Sequence, residues 1–266
     1  MKSAINLVRN TSFIRIKMKQ IGITETFDPC FVSDWEVKLL EANIIISKEL
    51  SDEMIEKLLI VQDRVIFHHT VTGQGNSVLE PNVKSTEHEF EQFKKLIERG
   101  FPISHYVLRV DPIMPFNDDI LNNTVNVLNL WKSYLVSIKK KVRCRISMID
   151  MYNHVKERIS KNSTITVPWN TFTAPNEYFQ KVEDTLSNFK DVFVFESCAE
   201  QKFSTNLVTQ IGCASYADLT ILGVDISEYG QPENKQRGDC MCLAKKQILN
   251  VKPARCKHQC LYCFWK

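Results

Sequence analysis

Short, mostly apolar runs rich in β-branched residues recur along the chain at residues 43–47, 64–72, 105–110, 142–148, 192–196 and 219–224. Runs of this length with apolar residues on both parities predict strands buried on both faces. Between them the period changes to that of a helix. Residues 51–62 open on Ser51-Asp52-Glu53-Met54, an N-cap signal. Residues 85–99 put Phe90, Phe93, Leu96 and Ile97 on one face and stop at Gly100. Amphipathic helices are also predicted over 117–135 and over 176–189, the latter introduced by Thr173-Ala174-Pro175, whereas 153–175 reads as a longer connection. Strands alternating with helices predict βα units around a parallel sheet. The expected fold is α/β, a partial or complete (β/α) barrel. A doubly wound nucleotide fold is a poorer match, because Thr72-Gly73-Gln74-Gly75 is too short for a Gly-x-Gly-x-x-Gly loop.

Composition narrows this little. The chain has 266 residues, 44% of them hydrophobic and 24% charged, with a net charge of +3. That suits one large α/β domain and excludes disordered and collagen-like classes. No apolar run reaches the ~18 residues of a membrane span. The basic N-terminal stretch lacks an apolar h-region, so no secretory signal is predicted and a cytoplasmic setting is expected. Cysteine density rises sharply after about residue 198. This divides the chain into a βα-repeat part, 1–197, and a cysteine-rich part, 198–266, that completes the barrel and carries metal.

Of nine cysteines, three close the chain in Cys256-Lys257-His258-Gln259-Cys260-Leu261-Tyr262-Cys263. The spacing C-x3-C-x2-C lets each thiolate hold one iron of a [4Fe–4S] cluster, leaving the fourth iron open. The alternative is a zinc knuckle completed by His258 or a distant cysteine. Residues 247–251 read as a short strand feeding this loop. Cys198, Cys213, Cys240 and Cys242 form a second set, enough for a closed site holding either a second [4Fe–4S] cluster or zinc. Cys144 alternates with Val142, Ile146 and Met148 on one strand face, a core pattern; Cys30 is also taken as structural. His68 and His69 are adjacent, so on a strand they face opposite ways. Polar residues at strand ends (Lys48, Arg109, Asp111, Asp150 and Glu196) are the candidates for a barrel mouth, where such folds place their active sites.

The terminal C-x3-C-x2-C with its aromatic Tyr262 resembles the cluster loop of radical S-adenosylmethionine (SAM) enzymes. Its C-terminal position, and a series of short segments, are similar to the family named domain of unknown function (DUF) 1848. These segments are Thr72-Gly73-Gln74-Gly75 with Leu79-Glu80-Pro81-Asn82, Arg109-Val110-Asp111-Pro112-Ile113 and Asp150-Met151-Tyr152. They continue with Cys198-Ala199-Glu200, Gly212-Cys213, Asn234-Lys235-Gln236-Arg237 and all seven clustered cysteines. Of the family's N-terminal Ser-Arg-Arg-Thr-Asp-Ile-Pro segment, Val8-Arg9-Asn10-Thr11-Ser12-Phe13 keeps only the arginine and threonine.

The resemblance implies a barrel of radical SAM type with its cluster loop permuted to the C-terminus. It also implies reductive cleavage of SAM to a 5'-deoxyadenosyl radical acting on an unknown substrate. Tyr262 would lie near the SAM adenine. Gly73 and Gly75 would stand in for the usual Gly-Gly-Glu motif, and Arg109, Asp111, Asp150 and Glu196 would orient SAM and substrate. An electron donor such as flavodoxin or ferredoxin is then a required partner. The competing class is a non-catalytic zinc or iron–sulfur module. It would use Arg237, Lys245, Lys246, Lys252, Arg255 and Lys257 to meet a nucleic acid or a protein.

Overall fold

The computed structural model describes residues 18–26, 28–162, 164–198, 202–232, 240–249 and 256–264. Its centre is one parallel sheet of eight strands: β1 (Ile21–Ile23), β2 (Asn43–Ser47), β3 (Val65–Thr70), β4 (Tyr106–Ile113), β5 (Val142–Met148), β6 (Phe193–Ser197), β7 (Val208–Gln210) and β8 (Lys246–Ile248). The strand order is β7-β6-β5-β4-β3-β2-β1-β8. Successive strands are therefore neighbours, and β8 returns to pair with β1. That is the cyclic order of a β/α barrel, with a seam between β7 and β8 where no ladder joins the described residues.

The helices are α1 (Asp52–Ile60), α2 (Thr86–Glu98), α3 (Asp118–Ser137), α4 (Asn153–Ser160), α5 (Asn176–Leu186) and α6 (Tyr216–Ile221). Ser51, Ser85 and Asn117 cap α1, α2 and α3 by accepting backbone N–H bonds, the first being the cap read from the sequence. The buried faces of α1 to α5 join one core with Ile45, Phe67, Leu108, Ile146 and Phe195. A second core holds Ile44, Ile66, Val107, Leu219 and Tyr229. Neighbouring strand residues point to opposite faces, so the two cores lie on opposite sides of the sheet. Of the described helices, only α6 packs on the second side.

That helix corrects one expectation. Residues 219–224 were expected to be a strand, but they form the end of α6 and the turn after it. Ser215 and Asp218 make a reciprocal capping box, and Gly223 (φ +70°) lies just past the end. This local capping outweighs the apolar run. Likewise the connection expected over 153–175 contains α4. β1 and β7 span three residues each, too few to show a period.

On the other face of the sheet from α1 to α5, ion pairs stand beside the second apolar core. Arg143 pairs with Glu196 and with Asp218 of α6, each at 2.8 Å, and Arg145 pairs with Glu196 at 3.0 Å. Arg145 Nη1 also donates to the Gly212 carbonyl at 2.7 Å, fixing the segment that follows β7. His68 lies among these arginines. Its imidazole is held well below the usual range by burial and then by Arg145, Arg109 and Arg143. His69, on the opposite face, bonds Glu89 at 2.8 Å and Tyr106 at 3.1 Å. Cys144 is fully buried in the core, as its strand pattern indicates.

Gly73 and Gly75 turn the loop after β3. Gly73 has φ +86°, and a Cβ there would overlap the Asn123 carbonyl of α3. We expect Gly73→Ala to lower unfolding free energy by about 1–3 kcal/mol, read as a lower urea midpoint. An unchanged midpoint would contradict this account of the loop.

Candidate functional site

A cavity of about 350 Å³ opens at the C-terminal ends of β1 to β5. Its walls include Thr24 beyond β1, Lys48 beyond β2, Thr70 at the end of β3, and Arg109 and Asp111 in β4, with Asp150 beyond β5. The remaining wall is the terminal loop: Cys256, Cys260 and Cys263 all face the cavity, together with His258 and Tyr262. Of the strand-end candidates, Lys48, Arg109, Asp111 and Asp150 therefore meet at one site. Glu196 does not; it belongs to the arginine network. Gly73 and Gly75 lie outside the lining and shape the loop that carries Glu80.

The terminal loop has little secondary structure of its own and is held by side chains from distant elements. Leu261 N–H donates to Leu79 O at 2.9 Å, and Asn82 Nδ2 donates to Lys257 O at 2.7 Å. Arg158 of α4 donates to Leu261 O at 2.9 Å and also to Cys263 O. Lys48 Nζ reaches Glu80 at 2.7 Å and the Tyr262 hydroxyl at 2.8 Å, and that hydroxyl donates to Glu80. Burial, then the Glu80 carboxylate, pushes the Tyr262 phenol well above its usual range. Burial opposes the Lys48 charge, but Glu80 and then the Cys260 sulfur raise its pKa above the ordinary lysine value. Glu80 and Arg158 were not legible as site residues, because their partners in the terminal loop are more than a hundred positions away.

The three loop thiols line the same cavity. Burial pushes Cys260 up to about 12; the Lys48 ammonium opposes that, and Glu80, Cys263 and Cys256 add to it. Cys256 is raised by burial, with Asp28 and Cys263 adding to it. His258 was one candidate for a fourth ligand. Its Nε2 lies 2.8 Å from Asp28 Oδ2 and its Nδ1 3.4 Å from the Asn82 carbonyl.

The second cysteine set comes together at the seam. Cys198 follows β6, Cys213 follows β7, and Cys240 and Cys242 precede β8. Cys198 Sγ lies 3.5 Å from Cys240 Sγ and 3.7 Å from Cys242 Sγ, and Cys213 N–H donates to Cys242 Sγ at 3.1 Å. Hydrogen bonds from Cys198 and Cys213 lower the Cys242 thiol to about 4. Those to Cys213 and Cys242 push Cys198 far up. The backbone helps: Leu243 N–H bonds Ala214 O at 3.0 Å, and Gly212 packs so closely on the Met241 carbonyl that a Cβ there would overlap it. The sulfurs of Cys198, Cys240 and Cys242 lie within 4.8 Å of one another, a group able to hold a metal.

Arg109 stands between the two centres. It lines the cavity and pairs with Asp111. Burial works against its charge, while Asp111 and the Cys213 sulfur beside it favour the charge and raise its pKa. Of the basic residues near the cysteines, Lys246 pairs with Glu25 at 3.1 Å and Lys257 sits over the Phe31 ring at 5.4 Å. Arg237, Lys252 and Arg255 lie outside the described residues, as do Arg9, Thr11, Ala199, Glu200 and the 234–237 segment. No helix among the described residues is long and apolar enough to cross a membrane.

No curated protein and no solved structure matches the chain. One family model does, over residues 13–265, a span that takes in the cavity, the seam cysteines and the terminal loop. The chain belongs to the family described as domain of unknown function (DUF1848).

Proposed function

We propose that the protein is a radical SAM-type iron–sulfur enzyme whose terminal loop holds a [4Fe–4S] cluster with one open iron. The observation that carries this reading is the placement of Cys256, Cys260 and Cys263 in one wall of a cavity at the C-terminal ends of parallel strands. The donor set fits the group: three soft thiols lining one cavity, on a loop clamped by Arg158, Lys48, Glu80 and Tyr262. When bound, such a cluster supplies the electron that cleaves SAM to a 5'-deoxyadenosyl radical.

The chain's own residues bind and orient. Arg109 and Lys48 give the cavity positive charge for a carboxylate, and Asp111 and Asp150 offer acceptors for an amine or hydroxyls. Tyr262 turns its hydroxyl into the Lys48–Glu80 pair, so only its ring is offered to a ligand. The seam cysteines supply a closed centre of zinc or a second cluster that joins the strand ends flanking the gap. The electron donor is a flavodoxin or ferredoxin, and the substrate is a molecule small enough, or extruded enough, to enter the cavity.

Electron paramagnetic resonance on anaerobically reconstituted, dithionite-reduced protein tests the reading. The expected result is a [4Fe–4S]⁺ signal whose g-values move when SAM is added. A signal indifferent to SAM, or zinc in place of iron, would overturn it.

A further inference from the structure

Asp28, Cys30 and His258 place a carboxylate oxygen, a thiol sulfur and an imidazole nitrogen within 4.8 Å of one another. None of the three belongs to either cysteine centre. We propose that they form a third metal site, for a single zinc-class divalent cation. This inference is independent of the radical SAM reading.

The local build is specific. Asp28 caps the one-turn 3-10 helix Pro29–Phe31, and its Oδ1 accepts the Cys30 N–H at 3.1 Å. The spacing Asp-Pro-Cys therefore sets the thiol beside the carboxylate. His258 arrives from the terminal loop, with Nε2 at 2.8 Å from Asp28 Oδ2 and 3.9 Å from Cys30 Sγ. Zinc bonds of about 2.0–2.3 Å in a tetrahedron put neighbouring donors roughly 3.3–3.6 Å apart. The two distances bracket that range, so a cation needs only a small opening of the His258–Asp28 contact.

The surroundings match those of a metal-bound histidine and carboxylate. A ligating imidazole usually donates its other N–H to a carbonyl or carboxylate, which fixes the ring. Here Nδ1 faces the Asn82 carbonyl at 3.4 Å. Asp28 is oriented by the Ser47 hydroxyl at 2.5 Å and by the Lys48 N–H at 2.7 Å.

The mixed nitrogen, oxygen and sulfur donors suit zinc better than magnesium or calcium. Three protein ligands leave a fourth position, as in catalytic zinc sites. Asp28 and His258 line the cavity, so the fourth ligand comes from that side.

The test is cadmium-113 NMR on the full chain, stripped of metal and reloaded with ¹¹³Cd²⁺ without oxygen, because the chemical shift reports how many thiolates bind each ion. A one-thiolate resonance is expected, well separated from those of the thiolate-rich centres. It should persist in Cys198→Ala, vanish in Cys30→Ala and move upfield in Cys30→Ser, which keeps the side-chain size and the backbone bond to Asp28. Absence of a one-thiolate resonance in the parent protein, or one that is unmoved in Cys30→Ser, would overturn the site.

Discussion

Replacing Cys256, Cys260 and Cys263 together with alanine should bring 5'-deoxyadenosine release from SAM down to the level of a protein-free blank. On the reading proposed above, each thiolate holds one iron, and no other cysteine lines the cavity to take over. The variant should also lose about four irons per chain, while the seam centre, built from other elements, keeps its metal. Tyr262→Phe provides the contrast. It removes the hydroxyl that bonds Lys48 and Glu80 but leaves every thiol in place. Iron content should stay near that of the parent, and any loss should fall on turnover and on protection of the loop from hydrogen exchange. Mass-spectrometric assay of 5'-deoxyadenosine with iron and sulfide counts separates these outcomes. Unchanged SAM cleavage in the triple variant would remove the loop from the chemistry.

Much of the scaffold was legible because it is locally encoded. β2 and β5 lie at the positions expected from apolar runs, α1 begins at the cap visible as Ser51, and α2 and α3 begin where the helical period was expected to start. Local signals failed where they conflicted or ran short: α6 hides in an apolar run, and β1 is set by pairing with β2 and β8. The seam group of Cys198, Cys240 and Cys242 was legible from the sequence, since C-x-C is rarely a packing motif. The residues that position the terminal loop were not. Arg158, Glu80, Asp28 and Asn82 look like ordinary surface-type polar residues in sequence, and only the fold brings them to the terminal loop. Glu196 is the reverse case. A carboxylate at a strand end suggests a barrel mouth, but parity and register place it beside Arg145, which it pairs.

That pairing makes Glu196→Ala the substitution with the largest expected effect on stability. Glu196 is 5% exposed and Arg145 1% exposed, so the charges they carry are shielded from water. Removing the carboxylate strands the Arg143 Nε and Arg145 Nη2 donors together. Breaking a buried ion pair from one side costs about 3–5 kcal/mol, chiefly because the remaining charge is left unpaired. Arg143 keeps Asp218 of α6, but Arg145 keeps only the carbonyls before Cys213. The damage should therefore reach the seam, with weaker metal retention by Cys198, Cys213, Cys240 and Cys242. Glu196→Gln retains acceptor and shape and should cost less, about 1–3 kcal/mol. Urea unfolding of the metal-loaded protein, followed by tryptophan fluorescence, measures both, and metal analysis after dialysis reports the seam. A loss below about 1 kcal/mol in Glu196→Ala would mean that water reaches the arginines. The face carrying Arg109, Arg143 and Arg145 would then be a hydrated passage between the two cysteine centres, not a sealed ion-pair layer.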